Sequence, residues 1–467
     1  MICPHHLQYL QQISSGGLGL QPDSWYNEAD SIALLWRKEI RMKLNTKRTI
    51  FIGLAFLSIS AFWQMYDNII PLILQNTFHL NESVIGAIMA LDNVLAVFLL
   101  PLIGTLSDKV NTPIGKRMPF ILGGTAAAVL LMMLLPMADA SGNLPLFVIA
   151  LGLTLLAMAM YRSPAVALMP DLTPKPLRSA GNAIINLMGA VGGLAALLMI
   201  RFLVPKSEHP SYAVVFAGVA LVMVVSVAVL FTVIREKPLA AQIAREYPDE
   251  EEAETVENGK PAPLAPPVMR SLRLILLSVS LWYMAYNAVT TAFSRYAVTV
   301  WKMEGGGFAS CLMVAMVAAI LSYVPTGALA SRIGRKKTIL FGLVLMLVSY
   351  AAVFFYPTYH VTANFFFALV GIGWAAINVN SLPMVVEMSR GSEIGKYTGL
   401  YYTFSMTAQI FTPVISGLLL QYVSYNTLFP YAIFFSACAM LTMSQVRHGD
   451  SKPAAKKSSL EHFDTDN

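Results

Sequence analysis

Charge is scarce in this chain. Asp, Glu, Lys and Arg make up 12% of its 467 residues against 56% hydrophobic, and the mean hydropathy is +0.61. That leaves too little polar surface to cover a water-soluble globule. Cysteine is nearly absent: Cys3, Cys311 and Cys438 cannot build a disulfide framework or a metal-ligand spacing. Seven scattered histidines add no metal site. The chain also lacks the Gly-x-Ser-x-Gly elbow, the His-Glu-x-x-His zinc site and the phosphate-cradling Gly-x-x-x-x-Gly-Lys, which removes the commonest enzyme readings. The net charge of +6 is spread over loops and not gathered with aromatics on one surface, which argues against nucleic acid as a partner.

What the chain has in abundance is apolar stretches of about 20 residues, the length that crosses a bilayer. Their pattern predicts helices at 50–75, 83–106, 118–138, 145–169, 182–204, 212–234, 272–298, 307–330, 338–356, 361–386, 397–422 and 427–446. The expected fold is all-α and integral to the membrane, with twelve transmembrane helices. Of the 32 Lys and Arg, 27 fall in alternate loops and termini, counting Arg273 at the very start of its helix, the side that stays cytoplasmic. Both termini are therefore expected in the cytoplasm. Arg201 and Arg295, at the outer ends of their helices, read as snorkelling side chains.

The divisions follow from composition: a cytoplasmic segment 1–48, helices 49–234, a linker 235–270, helices 271–446 and a tail 447–467. Residues 1–41 lack the apolar core of a signal peptide and read as an extension before a basic lead at Met42. Acidic residues 249–252 and the prolines of 261–267 mark the linker as a solvated connection. The sequon Asn81-Glu82-Ser83 sits on a very short loop and carries no assigned role.

The chain repeats itself. Gly104-Thr-Leu-Ser-Asp108-Lys109 leads to Gly115-Lys116-Arg117, and Gly327-Ala-Leu-Ala-Ser331-Arg332 leads to Gly334-Arg335-Lys336. Ser58, Ser60 and Tyr66 match Ser278, Ser280 and Tyr286 at an offset of 220, and Gly115 and Pro164 match Gly334 and Pro383 at 219. Two six-helix pseudo-repeats of this kind place a substrate cavity at their interface near the bilayer midplane.

The first basic turn, with Pro119-Phe120-Ile121, Ser163-Pro164 and Pro170-Asp171-Leu172-Thr173 before Arg178, resembles the major facilitator superfamily. Within it the chain is similar to the sucrose-carrier branch of the glycoside, pentoside and hexuronide cation symporters. The resemblance implies proton-coupled uptake of a sugar or glycoside at the plasma membrane by alternating access, with no cofactor. Sodium is the alternative coupling ion. At the cytoplasmic side it implies a gate at Gly104, Asp108, Gly115, Arg117, Asp171 and Arg178, with a weaker copy at Arg335 and Glu387, since Ser331 replaces the acid.

Ionisable groups deep in a membrane helix are expensive and point to function. Asp67 and Asp92 fall at comparable depth, and loss of hydration disfavours the charged form of a carboxyl group, so either can carry the coupling proton. Arg162 is their counter-ion. A sugar site needs aromatic platforms and fixed polar groups. Helical spacing offers Trp63 and Tyr66, Trp282, Tyr286 and Asn287, Asn182 and Asn186, Trp374 and Asn378, and Gln409 with Tyr401 and Ser405. A drug/proton antiporter shares the fold and the basic turn; a non-transporting receptor or scaffold is the contrasting class. Oligomeric state is not legible.

Overall fold

The computed structural model describes residues 44–174, 177–207, 210–246, 265–388 and 394–450. The expected extension 1–41, most of the acidic linker and the end of the tail lie outside the described residues, as does the side chain of Ser331.

From Thr46 onward the chain forms one unit. Among the described residues twelve helices are long and apolar enough to span a bilayer: α1 (Thr46–Asn76), α2 (Glu82–Lys109), α3 (Met118–Ala140), α4 (Leu144–Asp171), α5 (Gly181–Leu203), α6 (Ala213–Val233), α7 (Pro266–Thr299), α8 (Ala309–Ala330), α9 (Arg335–Phe354), α10 (Ala363–Glu387), α11 (Tyr397–Tyr422) and α12 (Tyr425–Ser444). The chain is thus an all-α integral membrane protein, as its apolar runs predict. Large side chains such as Phe202, Phe355 and Tyr422 are left exposed, which an apolar solvent accommodates and water does not.

Two local irregularities have sequence causes. α3 breaks at Met133, four residues before Met137 and just ahead of Pro136, whose missing N–H and ring disrupt the turn around Met132. α7 starts at Pro266 and not at 272, because Pro266 and Pro267 sit at the first helical positions, where proline fits.

Within the first half, α1 packs on α5 and α6, and α4 on α2 and α3; within the second, α10 packs on α8 and α9, and α7 on α11 and α12. Backbones approach closely where glycine permits. A side chain at Gly192 would run into the carbonyl of Leu57, and one at Gly373 would stand 2.6 Å from the carbonyl of Gly342. Hydrogen bonds add to this: Tyr161 donates to the carbonyl of Ala55 at 3.0 Å and pairs with Ser58, while Ser278 pairs with Thr442 at 2.7 Å.

The halves meet through α1 with α7, α2 with α11 and α5 with α8. These contacts concentrate at the face opposite the basic turns, here termed the far face. Gly86 abuts the carbonyl of Pro413, Gly417 that of Glu82, and Gly306 that of Ile200. Along α2 the buried residues are Glu82, Ile85, Gly86, Met89 and Ala90, then only Ser107. The helix is therefore gripped near the far face and uncovered toward the basic face, so the halves are closed at one end and part toward the other.

Candidate functional site

The basic turn of the first half is a buried construction. Gly115 has φ +124°, a left-handed conformation open to glycine, and Thr112 and Gly115 bond each other's backbone at 3.2 and 3.3 Å. The turn delivers Arg117 to the start of α3, 4% exposed. Its Nε donates to Asp171 at 2.9 Å, and its terminal nitrogens reach Asp108, Ser107 and the carbonyl of Gly104. Lys116 adds an ion pair to Asp171 at 3.0 Å. A side chain at Gly104 would stand 3.1 Å from Ser163 Oγ, which donates to the carbonyl of Leu100. The group therefore ties α2, α3 and α4 of one half together. Arg178 stands apart from it and donates to the carbonyl of Thr173 at 3.3 Å.

A carboxylate from the segment read as solvated linker completes this turn. Residues Glu236–Glu246 form a short helix, and the buried carboxylate of Glu236 accepts the backbone N–H groups of Lys116, Arg117 and Met118 at 2.8 to 3.1 Å. It supplies the N-terminal cap that Arg117 does not, satisfying donors that a helix start leaves orphaned and complementing the helix dipole. The second half repeats the device more sparingly. Gly334 has φ +95°, Asp450 accepts the N–H of Lys336 at 2.7 Å, and Arg335 pairs with Glu387. Neither acid was foreseen. The signal was there: each follows the last helix of a half whose third helix begins at a glycine turn.

Between the halves lies a cavity of about 300 Å³, lined by Gln64 and Asp67 of α1, Tyr286, Asn287 and Thr290 of α7, Tyr323 of α8, Tyr350 of α9 and Trp374 of α10, among others. Tyr286 and Trp374 stack with centroids 3.8 Å apart and planes 6° from parallel; Tyr283 meets Trp374 edge-on. The Tyr350 hydroxyl is buried without a hydrogen-bond partner. Asn378 reaches the cavity indirectly, bonded to Tyr323.

Four of the sequence-derived candidates thus line the cavity: Asp67, Tyr286, Asn287 and Trp374. The others do not. Trp282 is fully buried in the second half, Tyr66 stacks on Phe62, Gln409 donates within α11 to Ser405, and Asn182 and Asn186 of α5 are part-buried away from the lining. Asp92 accepts from Asn93 at 2.8 Å and lies within electrostatic reach of both Asp67 and Arg162. Arg162 sits over the Trp63 ring, 5.6 Å from its centroid, a cation–π contact that holds the guanidinium on an apolar platform. Gln64, Thr290, Tyr323 and Tyr350 were missed, because spacing along one helix does not show which way that helix is turned.

Among the described residues no group of three or more His, Cys, Asp or Glu could hold a metal ion.

The family model for the Major Facilitator Superfamily matches residues 52–322 and 306–464. The chain is 29% identical over 197 residues to the maltose permease of Geobacillus stearothermophilus, covering 42% of this chain and 46% of the relative. It is 23% identical over 290 residues to the isoprimeverose transporter of Lactiplantibacillus pentosus, covering 58% of this chain and 57% of the relative. The chain thus spans about half the length of the curated relatives it matches. In fold it is similar to the nucleoside transporter NupG, with a TM-score of 0.65 and 14% identity over 86% of this chain and all of that one.

Proposed function

We propose, from the premise that this chain belongs to the Major Facilitator Superfamily, that it carries a neutral sugar or glycoside in symport with a proton, by alternating access. The observation that carries this reading is the cavity itself. One carboxylate from the first half, Asp67, faces an aromatic and hydroxyl-rich wall from the second, Tyr286, Trp374, Tyr323 and Tyr350. Rings present a face to the C–H side of a sugar, while amides and hydroxyls exchange hydrogen bonds with its hydroxyls. Among the described residues the lining holds no Lys, Arg or His, so an anionic sugar would be taken from water without a counter-charge. The matched maltose permease and isoprimeverose transporter support a glycoside as cargo.

The arrangement distinguishes the two carboxylates. Asp92 has Asn93 and the field of Arg162, whereas Asp67 faces the cavity with the charge of Asp92 behind it. Two nearby carboxylates repel when both are charged, and a proton on one removes that repulsion. Asp67 is accordingly assigned the coupling proton, with Asp92 and Arg162 setting the field around it. The basic face is assigned to the cytoplasm from its Lys and Arg excess, with both termini there and the plasma membrane as the site of action.

The test is proton movement in proteoliposomes on addition of sugar, with maltose and isoprimeverose as probes. Alkalinisation of the medium that depends on sugar supports symport. Sugar uptake without proton movement, or uptake that follows a sodium gradient, overturns the proton assignment.

A further inference from the structure

The far face contains a buried ion pair that the proposed transport chemistry does not use. Arg295, near the end of α7 in the second half, places Nε 3.1 Å from Glu82 Oε2 at the start of α2 in the first half, and the two side chains are only 3% and 7% exposed. The other carboxylate oxygen accepts from the hydroxyl of Tyr425 at the start of α12, which in turn accepts from Gln75 Nε2 of α1 at 2.5 Å. One residue along, the backbone N–H of Ser83 donates to Gln421 of α11 at 3.1 Å, joined by the Ser83 hydroxyl. Each of these bonds runs from the first half to the second. The expected snorkelling of Arg295 is therefore corrected: a partner more than two hundred residues earlier in the chain holds it inside the protein.

Burying two charges is expensive, and their mutual attraction offsets the cost only while they remain in contact. Arg295 Nε and Nη1 and Glu82 Oε2 are buried without a hydrogen bond, so charge attraction at 3.1 Å joins the two side chains, and Glu82 is the group that compensates the guanidinium. A small separation of α2 from α7 would leave two bare charges in a dry interface; a large one would admit water to both. Partial opening is the unfavourable case, and the pair makes closure an all-or-none event. We propose that Glu82–Arg295 is the latch that holds the far face shut, and that α2 links it to the transport site. Asp92 lies ten residues further along that same helix, 82 to 92, so the separation of halves that breaks the latch carries Asp92, with Asp67 of the same half, away from the cavity wall of the second. This inference rests on the alternating-access reading.

Spin labels at Ser141→Cys and Thr358→Cys, both exposed and on loops of opposite halves at the far face, report the opening directly. The native Cys3, Cys311 and Cys438 are replaced by Ser, and pulsed dipolar distances are measured in lipid nanodiscs. The parent should give a dominant short distance. Glu82→Gln and Arg295→Met should each shift the closed-to-open ratio at least tenfold toward a longer one, and Arg295→Lys by less. The double variant should return toward the parent, because it leaves no bare charge. Single variants that elute as monodisperse protein with the parent's distances, while maltose or isoprimeverose still lengthens the distance in the parent, overturn the latch and leave alternating access standing. If no sugar, pH or variant changes the distance, both readings fall. A double variant that simply sums two open-shifted singles also overturns the latch.

Discussion

The two halves share a backbone plan and differ in where they keep charge. In the first half, α1, α2 and α4 carry Asp67, Asp92 and Arg162 inside the span; in the second, the position matching Asp67 at offset 220 is Asn287, and the cavity wall is Tyr286, Trp374, Tyr323 and Tyr350. The basic turns differ in the same sense. Arg117 is buried among Asp108, Asp171 and Ser107, whereas Arg335 pairs with Glu387 and its side chain is more exposed, 17% against 5%. The ionisable groups at and around the cavity, Asp67 with Asp92 and Arg162 in reach of it, are on the first half, while the second half's buried Arg295 lies at the far face. On the proposed reading, the first half answers to protons and the rings and amides of the second grip a neutral solute.

The sharpest way to break this comparison is to remove the charge that defines it. Asp67→Asn makes the first half resemble the second, and gradient-driven sugar accumulation should fall to the level of passive exchange. Sugar binding should persist but lose its pH dependence, since linkage requires that proton and sugar alter each other's affinity by the same factor, typically about 5–150-fold. Counterflow and accumulation assays on the same vesicles separate the two. Persistent uphill uptake in this variant would remove Asp67 from the coupling role.

The turns come next. Arg117→Ala removes several charge-assisted hydrogen bonds at once while Lys116 stays on Asp171, and should destabilise the protein by about 3 kcal/mol, while Arg335→Ala should cost about 1 kcal/mol or less. Denaturation followed in detergent checks both. Equal losses would mean that the halves are held alike.

A smaller difference is expected at the caps. Glu236→Gln removes the charge from a group that accepts three backbone N–H groups and should cost about 1.5–3 kcal/mol, against about 1 kcal/mol for Asp450→Asn, where a single such bond loses its charge. The smallest effect separates site from core in the second half. Trp374→Phe keeps an aromatic face in the cavity and should weaken sugar binding about fivefold, or about 1 kcal/mol, with little change in stability. Trp282→Ala, at a fully buried position, should instead destabilise by about 3–5 kcal/mol. Titration of sugar binding beside thermal unfolding distinguishes the two tryptophans.

The spans were legible because a bilayer leaves few options: an apolar run must satisfy its backbone internally and reach about 30 Å. Their ends shift by a few residues, as at Pro266. The cavity was only partly legible. Spacing offered Trp63 and Tyr66 as a pair on α1, and it does not say that the helix turns Asp67 to the cavity and stacks Tyr66 on Phe62. Arg295 was not legible because its position at a helix end suggests a route to the lipid interface, while its partner Glu82 lies 213 residues away, 82 to 295, in the other half. Glu236 was hidden for the opposite reason: an acid beside a charged linker looks like solvent-facing surface until the glycine turn it caps is seen in space.

The caps at Glu236 and Asp450 also bear on how the chain is made. A ribosome releases the turn at Gly115 long before residue 236 exists, so through the synthesis of α3 to α6 the amides of Lys116, Arg117 and Met118 await their carboxylate. Only when the chain has passed its sixth span does the acceptor emerge and seal the start of the third. The second half waits in the same way for Asp450, just beyond its last helix. In each half the residue that closes the turn is thus made only after all six helices, and a chain interrupted before it would leave those amides without their carboxylate.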